Sequence, residues 1–171
     1  MTLIVLLIAL VALRGLGALG LRRFATWPAV AAHALAIMLV MTASAHFAPA
    51  SVTVMPTHDD LVGMVPPAVP FPSAMVYLTG VLEFLGAVGL IIPWTRRAAG
   101  YCLALLFVVM LPANIYAATA NVTLAGDPVS PLWRRIPEQI LYIAVALWAT
   151  RGASTLTLRA DDTKVASTLE R

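Results

Sequence analysis

The sequence predicts an all-α membrane protein: a four-helix bundle preceded by a further N-terminal transmembrane helix, five helices in all, with the amino terminus outside and the carboxyl terminus in the cytoplasm. Three observations carry this. The 171 residues are 61% hydrophobic and 11% charged, with a mean hydropathy of +0.91, outside the range of soluble domains. Five apolar runs each approach the roughly 20 residues that a spanning helix needs. The basic residues fall in short groups beside those runs, where they orient helices, rather than in a patch that would read as a nucleic-acid surface.

The first run, Thr2 to Leu21, is interrupted by Arg14, whose long side chain can snorkel toward the interface that also holds Arg22. No basic region precedes it, so it is expected to stay as a signal-anchor-like helix rather than a cleaved leader. The others are Trp27 to Phe47, Ser73 to Pro93, Ala98 to Ala118 and Leu132 to Thr150. Arg22 and Arg23 follow the first run, Arg96 and Arg97 lie between the third and fourth, and Arg151, Arg159, Lys164 and Arg171 fill the tail. Those segments are therefore expected to be cytoplasmic, with only Arg134 and Arg135 dissenting. Residues 1–26 read as the N-terminal helix and its cytoplasmic connection, 27–150 as the four-helix domain, and 151–171 as a polar cytoplasmic tail.

The connection from Ala48 to Pro72 carries THDDLVGMVPPAVPFP, whose four prolines from Pro66 to Pro72 forbid a continuous helix. Its apolar content predicts a lid lying on the outer surface. The connection TANVTLAGDPVSP is turn-rich, and Pro137 is expected in the first turn of the last helix, where a missing N–H costs little. Trp27, Trp94, Trp133 and Trp148 sit near helix ends, as interfacial anchors do.

The polar membrane residues cluster toward the outer half: His46, Glu83, Asn114, Tyr116, Arg134, Arg135, Glu138 and Gln139. Glu83 is the deepest, roughly 15 Å below the surface at about 1.5 Å per residue. An unpaired carboxylate near the bilayer centre costs about 2.5 to 3.5 kcal/mol on insertion scales, so Glu83 is expected to face protein and to have a partner or be protonated. Candidate partners are Arg134, Arg135, Asn114, His46 and Tyr77; Gly80, Gly86 and Gly89 on the same helix allow close approach. Pro112 should kink the fourth helix beside Asn114, and Arg134 and Arg135 stand four and three residues before Glu138, within ion-pairing reach. Metal binding at His46 would require His58 of the lid to fold back over the helix end.

With these residues set out, the chain from Trp27 to Thr150 resembles the DoxX-like family of small membrane proteins, which are four-helix bundles. The matching stretches are AHF at Ala45 to Phe47, VPPAVPFP at Val65 to Pro72, VYLTGVLEFLGAVGLIIP at Val76 to Pro93, TRRAAG at Thr95 to Gly100 and PANIYAA at Pro112 to Ala118. The resemblance implies a membrane subunit linked to quinone chemistry or partnering a redox enzyme, since some relatives look like such subunits; others resemble assembly factors.

The resulting expectation is a multi-pass plasma-membrane protein with a small polar pocket under the lid. The pocket is expected to draw on Glu83, Asn114, Tyr116, Arg135, Glu138 and His46, for a quinone or another small amphipathic molecule, with the lipid bilayer, a redox-enzyme partner or a second copy as neighbours and no nucleic acid. The alternative is a non-catalytic assembly or scaffold protein. No P-loop, GxGxxG fingerprint, haem-like histidine pair or cysteine cluster is present in the sequence, so neither cofactor nor metal is expected, and the lone Cys102 rules out dithiol chemistry within the chain. A transporter is disfavoured because no inverted repeat is visible.

Overall fold

The computed structural model describes residues 2–153. The polar tail expected over 151–171 thus lies outside the described residues from 154 onward. Helix α1 runs Thr2–Ala18, and a 3-10 turn, Arg22–Phe24, leads into α2, Trp27–Ala45. A short helix, α3, His58–Gly63, sits in the long connection before α4, Pro72–Ile91. Then come α5, Arg96–Val109, and α6, Leu111–Thr119. A two-stranded hairpin, Thr123–Leu124 with Asp127–Pro128, precedes α7, Leu132–Ala149, which runs on into a 3-10 turn, Thr150–Ala153.

Helices α2, α4, α5 and α7 form a ring in which each packs on the next and α7 returns to α2. Helix α1 lies outside that ring, packed along α2, with the Thr2 hydroxyl oxygen 3.0 Å from the Tyr142 hydroxyl of α7. This makes α2 the most enclosed element: the residues from Val30 to Ala36 are all buried. Its composition suits the position, because Ala31, Ala32, Ala34 and Ala36 let neighbours approach on several sides while Leu35, Met38 and Leu39 fill the centre. The core continues through Leu90, Leu103, Phe107 and Ala146 of the other three helices.

The outer faces are as apolar as the core. Leu85 is 62% exposed, Leu105 64% and Val109 63%, far more contiguous apolar surface than a water-soluble monomer presents. Three helices are long and apolar enough to cross a membrane: Trp27–Ala45, Pro72–Ile91 and the α5–α6 unit Arg96–Thr119. The other two predicted spans stand apart for different reasons. Helix α1 has 17 residues, about 26 Å at 1.5 Å per residue, against a hydrocarbon thickness of about 30 Å. Helix α7 has 18 residues and carries Arg134, Arg135 and Glu138 in its first two turns.

Most helix ends fall within two residues of the sequence-based expectation, and three larger differences have local causes. Helix α1 stops at Ala18 rather than Leu21, because Gly20 adopts φ 101 and closes a Schellman turn, Leu21 N–H to Leu16 C=O at 3.2 Å and Gly20 N–H to Gly17 C=O at 3.2 Å. The fourth predicted helix is broken at Met110 into α5 and α6, where Pro112 cannot donate to the carbonyl four residues back. Pro137 lies inside α7, in its second turn rather than its first, because Pro131 already occupies the N-cap and accepts from the Arg134 and Arg135 amides.

At one end of the bundle, here the lid end, two connections meet. Thr57 caps α3: its hydroxyl oxygen accepts from the Asp60 amide at 3.3 Å, and its own amide donates to the Asp60 carboxylate at 2.8 Å, the reciprocal pairing of a capping box. The same Asp60 oxygen accepts from Ala125 N–H at 3.3 Å across 65 residues, so one carboxylate ties α3 to the hairpin turn, where Ala125 and Gly126 both have positive φ. At the opposite, arginine end stand Arg22, Arg23, Arg96, Arg97 and Arg151. Trp27 of α2 stacks on Trp148 of α7 there, with centroids 6.4 Å apart, and Arg14 lies 5.5 Å over the Trp27 ring.

The Thr57 amide holds the Asp60 carboxyl below the usual carboxylate range, against a smaller opposing effect of burial. A carboxyl whose pKa is depressed by folding stabilises the fold fully above its unfolded pKa, about 3.9, and loses that contribution as pH falls through the folded value. Amide hydrogen exchange over 58–63 and at Ala125 is therefore expected to accelerate together below about pH 4, and Asp60→Ala should show the fast exchange at neutral pH with the acid dependence gone.

Candidate functional site

The residues that the sequence singled out fall into three groups. The first lies in the seam between α2 and α4. On α4 the positions Val76, Gly80, Glu83, Ala87 and Leu90 recur at helical spacing and are buried. The absent side chain of Gly80 is the seat of His46: a Cβ placed there would lie 2.5 Å from His46 Cβ and 2.8 Å from its Cγ. Glycine is required at that point by the approach of the two helices. The imidazole is thereby held between a carbonyl and a carboxyl of the same helix. His46 Nδ1 donates to Val76 C=O at 2.7 Å, and Nε2 is 3.8 Å from Glu83 Oε1. The other carboxyl oxygen, Oε2, is 2.8 Å from the Thr42 hydroxyl of α2. Glu83 is 4% exposed and His46 5%.

This geometry constrains where protons sit. A carbonyl only accepts, so His46 Nδ1 carries hydrogen in every state and Nε2 alone is free to gain or lose one. A buried carboxylate beside a neutral imidazole would leave an uncompensated charge, which is costly in so apolar a setting. One proton carried by either Nε2 or the carboxyl, which stand 3.8 Å apart, removes that charge, either as imidazolium with carboxylate or as imidazole with carboxylic acid. Thr42 accommodates both arrangements, since its hydroxyl is 2.8 Å from Glu83 Oε2 and 3.2 Å from the Leu39 carbonyl. It can donate to the carboxylate, or turn to Leu39 and accept from the acid.

The lid is fastened to this seam. His58 Nδ1 donates to the His46 carbonyl at 2.8 Å, its Nε2 is 2.8 Å from Ser73 Oγ, and its ring stacks on Tyr77 with centroids 4.0 Å apart. The lid histidine does fold back over the end of α2, as metal binding would require. Its ring nitrogens are taken by a backbone carbonyl and a serine, however, and no group of three His, Cys, Asp or Glu among the described residues could hold an ion.

The second group joins α6 to α7. Arg135 Nη1 donates to Asn114 Oδ1 at 2.6 Å, and the Asn114 amide donates back to Met110 C=O at 3.3 Å, the carbonyl at the Pro112 break. Arg135 Nε is buried without a hydrogen-bond partner. Tyr116 is half-buried on α6 nearby. The third group is the Arg134 to Glu138 pair at 2.8 Å, one helical turn apart on α7 and partly exposed, the ion pair that the spacing allowed. Among the described residues, no hydrogen bond or ion pair links Glu83 to Asn114, Tyr116, Arg135 or Glu138. Thr42, and Thr79 of α4 with its hydroxyl 3.3 Å from His46 Nδ1, were not anticipated as neighbours; the seam position of Thr42, four residues before His46, was the available signal.

The chain belongs to the family described as Domain of unknown function (DUF8561), whose profile matches residues 35–150. The match opens inside α2 and closes at the end of α7, so it takes in all three groups and leaves out α1. No curated protein and no solved structure matches the chain.

Thr42→Val keeps the shape of the seam and removes the donor to Glu83. Leaving a buried acceptor without its donor costs about 1–3 kcal/mol, so thermal unfolding in detergent should shift downward, and Thr42→Ser should restore most of the loss.

Proposed function

We propose that this is a multi-pass plasma-membrane protein of the DoxX-like type, with its lid end outside and its arginine end in the cytoplasm. The lid half would serve a small amphipathic molecule, a quinone or a compound of similar shape, in concert with a redox-enzyme partner. The observation that carries the reading is the buried Glu83 and His46 pair, in which the Val76 carbonyl holds His46 Nδ1 and leaves Nε2, 3.8 Å from the carboxyl, as the nitrogen free to gain or lose a proton. Such a pair can give a proton to a bound carbonyl oxygen or take one from a hydroxyl, the charge left on the pair being matched by the opposite charge on the bound molecule. Arg135 adds a buried Nε–H without an acceptor, the kind of donor a quinone carbonyl would use. The apolar outer faces and the grouping of Arg22, Arg23, Arg96, Arg97 and Arg151 at one end, against Arg134 and Arg135 at the other, support the membrane assignment.

A second reading, a non-catalytic assembly or scaffold protein, is favoured by a different observation. Every polar contact of Glu83 is internal, and Gly80 makes His46 a tight fastening between α2 and α4.

Glu83→Gln separates the two. Binding of a short-chain benzoquinone to the purified protein is expected to weaken about tenfold or more, as loss of a charge-assisted contact does, while partner co-purification stays intact. Unchanged quinone binding together with loss of the partner would establish the scaffold reading instead. Alkaline carbonate extraction tests the membrane assignment on its own: the wild-type chain should remain in the pellet.

A further inference from the structure

The arginine end contains a charge arrangement that the chain does not neutralise among its described residues. Arg23, in the 3-10 turn before α2, donates from Nε to His33 Nε2 at 2.9 Å. His33 Nδ1 in turn donates to Ala29 C=O at 2.7 Å. With one ring nitrogen donating and the other accepting, His33 is the neutral tautomer, and it orients Arg23 without adding charge. Phe24 packs edge-on against the same ring at 5.1 Å. Arg96, the first residue of α5, is 4% exposed, with Nε donating to Leu90 C=O at 2.7 Å and Nη2 to Ile91 C=O at 3.4 Å. Its guanidinium thereby closes the C-terminal end of α4. The charges of Arg23 and Arg96 act on His33 and on one another across the α2–α4 end, and Arg97, next after Arg96 on α5, is exposed.

No described carboxylate faces this cluster. Asp59, Asp60, Asp127 and Glu138 belong to the lid end, and Glu83 is bound within the α2–α4 seam. Two guanidiniums held together, one of them buried, are unfavourable unless an anion joins them. The stacked Trp27 and Trp148 rings mark the depth of this end, because such rings settle at headgroup level. A phosphate arriving there matches both the depth and the forked donors of arginine.

We infer that Arg23, Arg96 and Arg97 form a binding site for the phosphate headgroup of an anionic phospholipid in the leaflet at the arginine end. This rests on the membrane assignment proposed above. Backbone carbonyls and His33 fix the orientation of two of the three arginines, which makes the site a formed one rather than a diffuse positive surface. It is distinct from the seam at Glu83, which lies toward the lid.

The test uses the full chain in detergent, stripped of lipid and then offered phosphatidylglycerol, phosphatidylcholine or inorganic phosphate, with retained ligand read by native mass spectrometry. Phosphatidylglycerol should be retained in preference to phosphatidylcholine, and Arg23→Gln should reduce that preference about fivefold, the contribution of one arginine near an anionic headgroup. Arg22→Gln, an exposed neighbour without the His33 contact, should leave the preference unchanged, and neutralising Asp161, Asp162 and Glu170 of the tail should not diminish it. Equal retention of the two lipids, or equal effects of Arg22→Gln and Arg23→Gln, would overturn the site. Displacement of phosphatidylglycerol by an equal concentration of inorganic phosphate would overturn the assignment to a lipid. Wild-type chain that pellets after carbonate extraction yet shows no lipid preference would overturn the site alone and leave the membrane assignment standing.

Discussion

One imidazole holds the seam on which the rest of the lid half depends. His46 is seated where Gly80 has no side chain, between the Val76 carbonyl and the Glu83 carboxyl, and its own backbone carbonyl receives His58 of the lid. The distance between α2 and α4, the place where α2 ends, the position of α3 and the protonation of Glu83 are therefore linked through one residue. In an apolar surround, helix association gains little from the hydrophobic effect and relies on close contact and hydrogen bonds. A seam with both, at a glycine and a histidine, is the stiffest kind available to such a protein.

Much of this was legible in the sequence, and the shortfalls have physical causes. Composition and the lengths of the apolar runs located the helices to within a few residues, and the Pro112 break and the packing role of the α4 glycines could be read directly. Which of its five candidate partners Glu83 meets was not: counted along its own helix it lies about three turns in from the start of α4, yet its carboxyl comes within 3.8 Å of His46, which caps the end of α2. Depth measured on one helix says little about where the adjacent helix stops. A linear sequence likewise could not separate polar residues on opposite sides of the ring: Asn114 and Arg135 meet between α6 and α7, whereas Glu83 turns to Thr42 and His46.

The two ends of the bundle solve the problem of charge differently. At the lid end three acids have partners within the chain: Asp60 in its capping box, Glu138 with Arg134, and Glu83 with His46 and Thr42. At the arginine end the described residues supply guanidiniums and a neutral histidine, with backbone carbonyls as the only acceptors for Arg96. The family match begins within α2, so Arg23 lies outside it while His33 stands just before its start and Arg96 lies within. The seam and the Arg135–Asn114 contact fall wholly inside the matched region, and α1 contributes to neither; among the described residues its one side-chain hydrogen bond to the ring is Thr2 with Tyr142.

The tie from Asp60 to Ala125 joins two connections that are far apart in the chain. Because α3 and the hairpin share that one carboxylate, displacing either weakens the hold on the other, so the His58 contact above His46 depends on the hairpin as well as on α3.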